Sequence, residues 1–212
     1  MMTKPHLAEA APTTDNGTVA PHRPPRRRPN TDARDREYLT EAEVERLIKA
    51  TDSSRYKHRD ATMVLVAFRH GLRVAELIIL RWDSVDFAHG QLHVRRLKGS
   101  TDGVHPLSGR ELRALRRLKR DQTPESPYIF TSERGAPFTT AGFRKLIARL
   151  GIAAKIDFPV HPHMFRHSCG FHQANAGRDT RSLQAYLGHK NIQHTVRYTE
   201  LAPTRFKGWW KD

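Results

Sequence analysis

Two motifs in the sequence combine the residue types that hold phosphate oxygens. In the first, GLRVAEL at 71–77, Gly71 ends one predicted helix and Arg73 begins the next. Glu76 follows Arg73 by three positions, so its carboxylate can hold the guanidinium from the same helical face. Taken alone, such a pair is typical of a surface salt bridge, because the chain contains 37 lysines and arginines.

The second motif, HPHMFRHS at 161–168, combines histidine with arginine. Its spacing puts His163 and Arg166 on one face near a helix N-terminus, whose free amide groups favour anions, although ordinary helix capping fits as well. A metal site at His161 and His163 would need further ligands, and no nearby carboxylate or thiolate has suitable spacing. Cys169 is expected to be a small buried core residue rather than a nucleophile, since successive residues on a helix point apart.

Two further motifs supply an imidazole and a phenol. In YLGHKN at 186–191, Gly188 is a natural left-handed helix cap, which turns the chain and fixes where His189 points. Tyr198 follows nine residues beyond His189. Taken alone, His189 is typical of an ordinary solvent-exposed histidine, and Tyr198 is typical of a tyrosine that packs in the core.

Together these residue types suit transesterification at a phosphodiester. Two guanidinium groups match the non-bridging oxygens of a phosphorane-like transition state. A tyrosine hydroxyl has a pKa of ~10, and an imidazole with a pKa of ~6.5 can accept its proton. The departing alkoxide needs a proton donor, which Lys98 in the hairpin turn RLKG could supply. We expect no metal and no cofactor, because this chemistry requires no divalent ion and the sequence has no carboxylate cluster.

The elements that must position these groups are mainly helical. Capping boxes at Thr40–Glu43 and Ser108–Glu111 predict two helix starts, the first with Leu39 and Val44 as a hydrophobic staple. Alternating apolar residues between 85 and 107, with turns at 89–90 and 99–103, predict a small antiparallel sheet with two hairpins. Apolar spacing predicts further helices through 63–68, 73–80, about 140–150, 163–176, 180–187 and 195–198. The predicted fold class is therefore α+β, mainly α-helical, with a small antiparallel edge sheet.

Charge and composition narrow the class of partner. The net charge is +15, of which residues 1–36 contribute only +3, so the folded part is strongly basic and calls for an acidic partner such as nucleic acid. The longest uncharged apolar stretch, 61–68, is far shorter than the ~20 residues of a membrane span. A single cysteine excludes an internal disulfide. Without a secretory signal in the sequence, we expect a cytoplasmic, nucleoid-associated protein.

The N-terminal segment differs from the rest in composition. Residues 1–36 hold six of the 13 prolines and few large apolar side chains, which predicts a disordered, basic, proline-rich tail. The tail would be a solvated leader or an arm that grips DNA. One domain is predicted at 37–212.

The motifs, in this order, resemble the tyrosine recombinase (phage integrase) family. The likeness runs from about Leu39 to Trp210 and rests on GLRxxEL, Lys98-Gly in a hairpin, HxxRH, LGH and the tyrosine nine positions later. The stretches HPHMFRHSCG and YLGHKNIQHTVRYT look most like the short bacterial recombinases that invert the fimbrial promoter switch. The resemblance implies a single tyrosine-recombinase catalytic domain, without the separate core-binding domain that most integrases carry.

The resemblance also implies a role for each residue. Tyr198 would attack the scissile phosphate, forming a 3′-phosphotyrosyl link and releasing a 5′-hydroxyl. Lys98 would protonate the leaving 5′-oxygen, and His163 would act as general base or hydrogen-bond the phosphate. Arg73 and Arg166 would hold the phosphate oxygens. His189 would complete the hydrogen-bonding ring, and Glu76 would orient the cluster.

The expected partner is double-stranded DNA with paired recombination sites. Members of the family work as tetramers that exchange C-terminal segments, which here would be Leu201 to Asp212 with the Trp209-Trp210 pair. Accessory DNA-bending proteins are further possible partners, and the motifs do not separate inversion from integration or excision. Two other functions stay open at this point: a non-catalytic DNA-binding regulator on the same scaffold, and nicking and closing of the type IB topoisomerase kind.

Overall fold

The computed structural model describes residues 36–97, 99–122, 124–200, 202 and 206. Most of the predicted tail, Lys98 and the Trp209-Trp210 pair therefore lie outside the described residues. The described part is mainly helical and carries one three-stranded antiparallel sheet in the order β1-β2-β3. The helices are α1 (Glu41–Ala50), α2 (Lys57–Arg69), α3 (Val74–Ile78), α4 (Gly109–Asp121), α5 (Thr140–Ala153), α6 (His163–Asn175), α7 (Thr180–Leu187) and α8 (Gln193–Glu200); the strands are β1 (Val85–Asp86), β2 (Gln91–Val94) and β3 (Gly103–Pro106).

The fold class predicted from the sequence is confirmed, including the sheet with two hairpins. In the sheet, Val85 pairs with Leu92, and His93 pairs with Val104. Strand β2 alternates between exposed and buried side chains, with Leu92 and Val94 facing the core. The period of two in the sequence thus marked a half-buried strand correctly.

Both predicted capping boxes are present. The Thr40 hydroxyl accepts from the Glu43 amide, and the Glu43 carboxylate accepts from the Thr40 amide at 2.7 Å. Ser108 and Glu111 form the same reciprocal pair at the start of α4. These bonds satisfy backbone amides that have no partner inside the helix, which is why both helices begin where they do.

Two helix boundaries differ from the sequence prediction. Helix α3 covers Val74–Ile78 rather than 73–80, and Arg73 is its extended N-cap residue. Helix α5 continues through Gly151, where a stop was predicted, and ends at Ala153. Gly151 serves close packing instead, since a Cβ there would lie 2.8 Å from a methyl group of Val160.

The core has two parts. The larger one joins α1, α2, α4, α5 and the start of α6 with the inner face of the sheet. The smaller one joins the rest of α6 to α7 and α8, and contains Cys169, Phe171, Leu187 and Tyr198. Cys169 is buried and its Sγ contacts the Arg69 carbonyl, as expected for a core residue. Among the described helices, none has the length and apolar character that a membrane crossing requires.

Candidate active site

Arg73 and Glu76 form a pair at the start of α3. The Arg73 Nη1 donates to Glu76 Oε1 at 2.7 Å, and the Arg73 amide donates to Glu76 Oε2 at 2.9 Å. The side chain of Glu76 is only 1% exposed, whereas that of Arg73 remains 27% exposed. Gly71 makes the preceding turn with φ +56°, and a Cβ there would lie 2.6 Å from Leu187. Glu76 is thus a buried anchor for a guanidinium that still reaches the surface.

Arg96 binds the other side of Glu76, a contact that sequence analysis missed. Its Nη1 donates to Glu76 Oε2 at 2.9 Å, and its Nη2 donates to the Tyr186 carbonyl at 2.7 Å. Burial alone would raise the pKa of Glu76, but the hydrogen bond from the Arg73 amide, the charge of Arg96 and the hydrogen bonds from both guanidinium groups outweigh it and keep the pKa below 4.5. Only the hairpin position of Arg96 was visible in the sequence, because its partners are 20 and 90 residues away.

Arg166 completes the group of guanidinium side chains. It is 1% exposed, and it donates to the Gly71 carbonyl at 2.7 Å and to the Leu187 carbonyl at 2.6 Å. Burial, together with the charges of Arg73 and Arg96, lowers its pKa to about 10, so it remains a cation at neutral pH. We call Arg73, Glu76, Arg96 and Arg166 the arginine cluster.

Tyr198 lies beside this cluster on α8 and is 2% exposed. Its hydroxyl is 2.9 Å from His167 Nδ1, and its ring meets Phe171 edge-on. Gly170 leaves the space for the ring, since a Cβ there would lie 2.8 Å from three ring carbons. Burial raises the pKa of Tyr198, whereas the positive charges of Arg197 and Arg166 act in the opposite direction.

His167 is part of the HxxRH motif, but no role of its own was predicted for it from the sequence. It follows His163 by four positions on α6, so the two imidazoles share a face and meet edge-on at 4.5 Å. That spacing was the available signal, but it could not show that the α8 tyrosine would reach this face. Burial lowers the pKa of His167 to about 3, with the charge of His163 next in effect, so its ring is neutral at neutral pH.

His163 and His189 lie within reach of the same charges. Burial lowers the pKa of His163 below 6.5, and the charges of Arg166 and Arg73 add to this effect. The same causes, in the same order, lower the pKa of His189 to about 3. His189 Nδ1 is 2.8 Å from the Thr195 hydroxyl, and its ring is stacked 6.4 Å from that of Tyr198. We call His163, His167, Gly170, His189 and Tyr198 the tyrosine pocket.

The β2–β3 hairpin approaches the end of α7 at Gly188. This residue is the left-handed cap that the sequence predicted, with φ +69°, and a Cβ there would lie 2.6 Å from the Thr101 carbonyl. The Leu97 amide donates to Glu76 Oε1 at 3.3 Å. The hairpin residues on either side of position 98 therefore contact the arginine cluster, because the Ser100 hydroxyl also accepts from Arg73 at 3.2 Å.

The described residues thus bring together six of the seven side chains that the sequence singled out, with Lys98 outside the described part. They supply two guanidinium groups, the carboxylate that holds one of them, two neutral imidazoles and a phenol: Arg73, Arg166, Glu76, His163, His189 and Tyr198. Cations fixed by buried acceptors can stabilise charge that develops on phosphate oxygens. Within residues 36–97, 99–122 and 124–200, histidines, acids and the cysteine form no group of three or more that could hold a metal ion.

Comparisons with known proteins agree with this geometry. A model of the Phage integrase family matches residues 37–205. The type 1 fimbriae regulatory protein FimE of Escherichia coli K12 is 39% identical over 181 residues, which cover 83% of this chain and 91% of FimE.

Two solved structures extend the likeness. The crystal structure of XerA recombinase superposes with a TM-score of 0.69 at 32% identity, over 80% of this chain and 62% of XerA. The XerH site-specific recombinase bound to its palindromic difH substrate has the same fold, with a TM-score of 0.68 at 19% identity, over 80% of this chain and 51% of XerH. The chain thus spans about half to two thirds of these two recombinases.

Proposed function

The chain belongs to the phage integrase family, and on that premise we propose that it is a site-specific recombinase which cuts and rejoins double-stranded DNA through a 3′-phosphotyrosyl intermediate. The observation that carries the proposal is that two fixed guanidinium groups lie near a tyrosine hydroxyl. Arg73 and Arg166 are fixed through Glu76 and two carbonyl oxygens, next to the buried hydroxyl of Tyr198. Such fixed guanidinium groups offer several donors to the non-bridging oxygens of one phosphate.

In the proposed reaction the Tyr198 oxygen forms a bond to phosphorus as the bond to the 5′-oxygen breaks. The tyrosine proton passes to an imidazole, for which His163 is our candidate, and Lys98 gives a proton to the 5′-oxygen. His189 donates a further hydrogen bond to the phosphate. One phosphoester replaces another, so a second 5′-hydroxyl can reverse the step without ATP.

Attack also requires the Tyr198 hydroxyl to leave His167 and reach a phosphate held by the arginines. The low pKa of His167, about 3, makes its ring a neutral hydrogen-bond acceptor and a weak base. His167 therefore suits a role as the resting partner of the hydroxyl rather than as the group that takes its proton.

The proposed partner is DNA with two recombination sites, bound by a homo-tetramer in the cytoplasm at the nucleoid, with accessory bending proteins where the site arrangement needs them. The net charge of +15 supports a polyanionic partner. Identity to FimE of 39% over most of both chains, together with the resemblance to fimbrial-switch recombinases, supports inversion over integration or excision. Residues 201–212 would be the segment exchanged between neighbours.

Covalent capture in the native host tests the proposal. Cells expressing the tagged chain, either wild type or Tyr198→Phe, are lysed in denaturant, and the DNA attached to the recovered protein is sequenced. We expect discrete DNA ends with the wild type and none with the Phe variant, which keeps the ring and loses only the nucleophile.

Other outcomes separate the competing functions. Covalent DNA on Tyr198→Phe would refute Tyr198 as the nucleophile. DNA recovered only under native conditions would indicate a binding regulator. Supercoil relaxation on DNA that lacks any captured site would indicate a topoisomerase-like activity.

A further inference from the structure

Arg96 connects its own hairpin to three helices through one buried guanidinium. Its side chain is 1% exposed, although it lies on the short hairpin between β2 and β3. Besides its bonds to Glu76 and the Tyr186 carbonyl, it donates to the His70 carbonyl at 3.2 Å and to the Gly71 carbonyl at 3.4 Å. The hairpin, the end of α2, the start of α3 and the end of α7 therefore meet at this side chain.

Arg96 shares a hydrogen-bond acceptor with each of the two arginines assigned to the phosphate. Glu76 lies between two guanidinium groups, with Arg73 on Oε1 and Arg96 on Oε2. The Gly71 carbonyl accepts from Arg96 and from Arg166. Carbonyls of adjacent residues on α7 complete the arrangement, since Tyr186 accepts from Arg96 and Leu187 accepts from Arg166.

We propose that Arg96 is a positioning residue for strand cleavage, which acts through Glu76 and the Gly71 carbonyl to fix the guanidinium groups of Arg73 and Arg166 for phosphate binding. This inference rests on the proposed function. Arg96 touches no reacting atom, because its donors are directed to Glu76 and to carbonyl oxygens. The Gly188 turn packs against its stem, since a Cβ at Gly188 would lie 3.0 Å from Arg96 Cγ.

The arrangement requires arginine rather than positive charge alone. A planar fork donates in several fixed directions at once, and here those directions lead to a carboxylate and to carbonyls from two elements. A lysine ammonium is a single point on a flexible stem and cannot span the same acceptors. Without the fork, Glu76 can turn towards Arg73 alone and draw that guanidinium out of place.

The test measures single-turnover cleavage by the full chain at saturating DNA, on a duplex that carries the site found by covalent capture. The variants are Arg96→Met and Arg96→Lys. Arg95→Met is the matched control, because Arg95 is the exposed neighbour on the same hairpin and the charge change is equal. We expect both Arg96 variants to cleave about 100-fold more slowly, as a misplacement of about 1 Å predicts, with DNA affinity close to that of the control.

A second substrate separates positioning from a general loss of structure. Replacing one non-bridging oxygen of the scissile phosphate by a methyl group removes the charge that the arginines neutralise. We expect the defects of both Arg96 variants and of Arg73→Ala to shrink on this methylphosphonate DNA, because all three changes act on the same interaction.

The outcomes separate a failure of the role given to Arg96 from a failure of the proposed function. An equal slowing on phosphate and methylphosphonate DNA, accompanied by a lower melting temperature, would reduce Arg96 to a structural residue and overturn the inference. Wild-type cleavage rates in Arg96→Lys would overturn it as well and keep the proposed function intact. Absence of cleavage by the wild type on every captured site would remove the proposed function, and the inference with it.

Discussion

The arginine cluster and the tyrosine pocket share helix α6 but are stabilised in different ways. Arg166 of the cluster donates to carbonyls of two other segments, and Glu76 accepts from two guanidinium groups. In the pocket, Tyr198 of α8 hydrogen-bonds His167, the residue after Arg166 on α6, and the rest of its ring contacts Phe171 and the surface of Gly170. Directed polar contacts fix the cluster, whereas shape and packing fix the tyrosine.

The difference follows from what each region contains. A buried cation needs directed acceptors, because leaving it without them costs several kcal/mol, so its geometry is tightly determined. A phenol is held by apolar area, and its one hydrogen bond with His167 contributes only about 0.5–1.5 kcal/mol. The group that must move in the reaction is thus held by packing and a single hydrogen bond to His167, whereas the charged groups that must stay are held by several directed bonds to buried acceptors.

The largest expected effect comes from breaking the cluster itself. Arg166→Met removes a charge-stabilising donor, takes the guanidinium partner from the Leu187 carbonyl and leaves the Gly71 carbonyl with only its longer bond from Arg96. We expect single-turnover cleavage to fall by about 100- to 1,000-fold, the range for loss of a fixed transition-state donor. Arg149→Met, an exposed change of equal charge on α5, serves as the control. Equal rates in the two variants would contradict a special role for the buried cation.

A smaller effect is expected from filling the space under the tyrosine ring. In an open helix, Gly→Ala stabilises by about 0.5–1 kcal/mol, but at Gly170 the new Cβ would lie 2.8 Å from the Tyr198 ring. We expect Gly170→Ala to lower the free energy of unfolding by about 1–3 kcal/mol, measured by denaturant titration. The same change in a Tyr198→Ala background should lose this penalty. A more stable single variant would show that packing does not fix the ring.

The smallest expected effect concerns protonation in the pocket. The pKa of His167 is about 3 in the folded chain and 6.5 in the unfolded chain, where the ring is in water. Between these two pH values, only the unfolded chain therefore binds the proton. Stability should therefore fall as the pH drops from 6.5 towards 3, by about 1.4 kcal/mol per pH unit for one proton. His167→Asn keeps a polar group near the Nδ1 position. Its free energy of unfolding should change less steeply with pH, by the equivalent of up to one bound proton. Identical slopes for the two proteins would contradict a neutral, buried His167.

Local signals in the sequence were sufficient for most of the fold. The capping boxes at Thr40 and Ser108 and the alternation through β2 depend on neighbouring residues, so they could be predicted without knowing the tertiary structure. The end of α5 was wrong because Gly151 packs against Val160, a contact that its immediate neighbours do not reveal. A glycine that ends a helix and one that lets two segments approach are alike in a sequence.

In the candidate site, too, contacts between near neighbours in sequence were predictable and contacts between distant residues were not. Arg73 with Glu76 and His163 with Arg166 lie three residues apart, and this spacing predicted that the members of each pair lie close together, although Arg73 is an extended N-cap residue rather than part of the helix. His167 was undervalued because the Tyr198 hydroxyl that it binds lies 31 residues further along the chain. The catalytic roles of Lys98, His163 and Tyr198 stay predictions, which the cleavage experiments address.

The sequence by itself determined the types of chemical group, their order along the chain and the helices and strands that carry them, because these depend on spacing and neighbouring residues. Only the tertiary structure decided that Arg96 supports Glu76 and that His167 holds Tyr198. Both contacts join segments that are distant in sequence, at positions where burial favours polar groups that find partners. Which partner is within reach depends on how the helices pack, and spacing along the chain does not encode that distance.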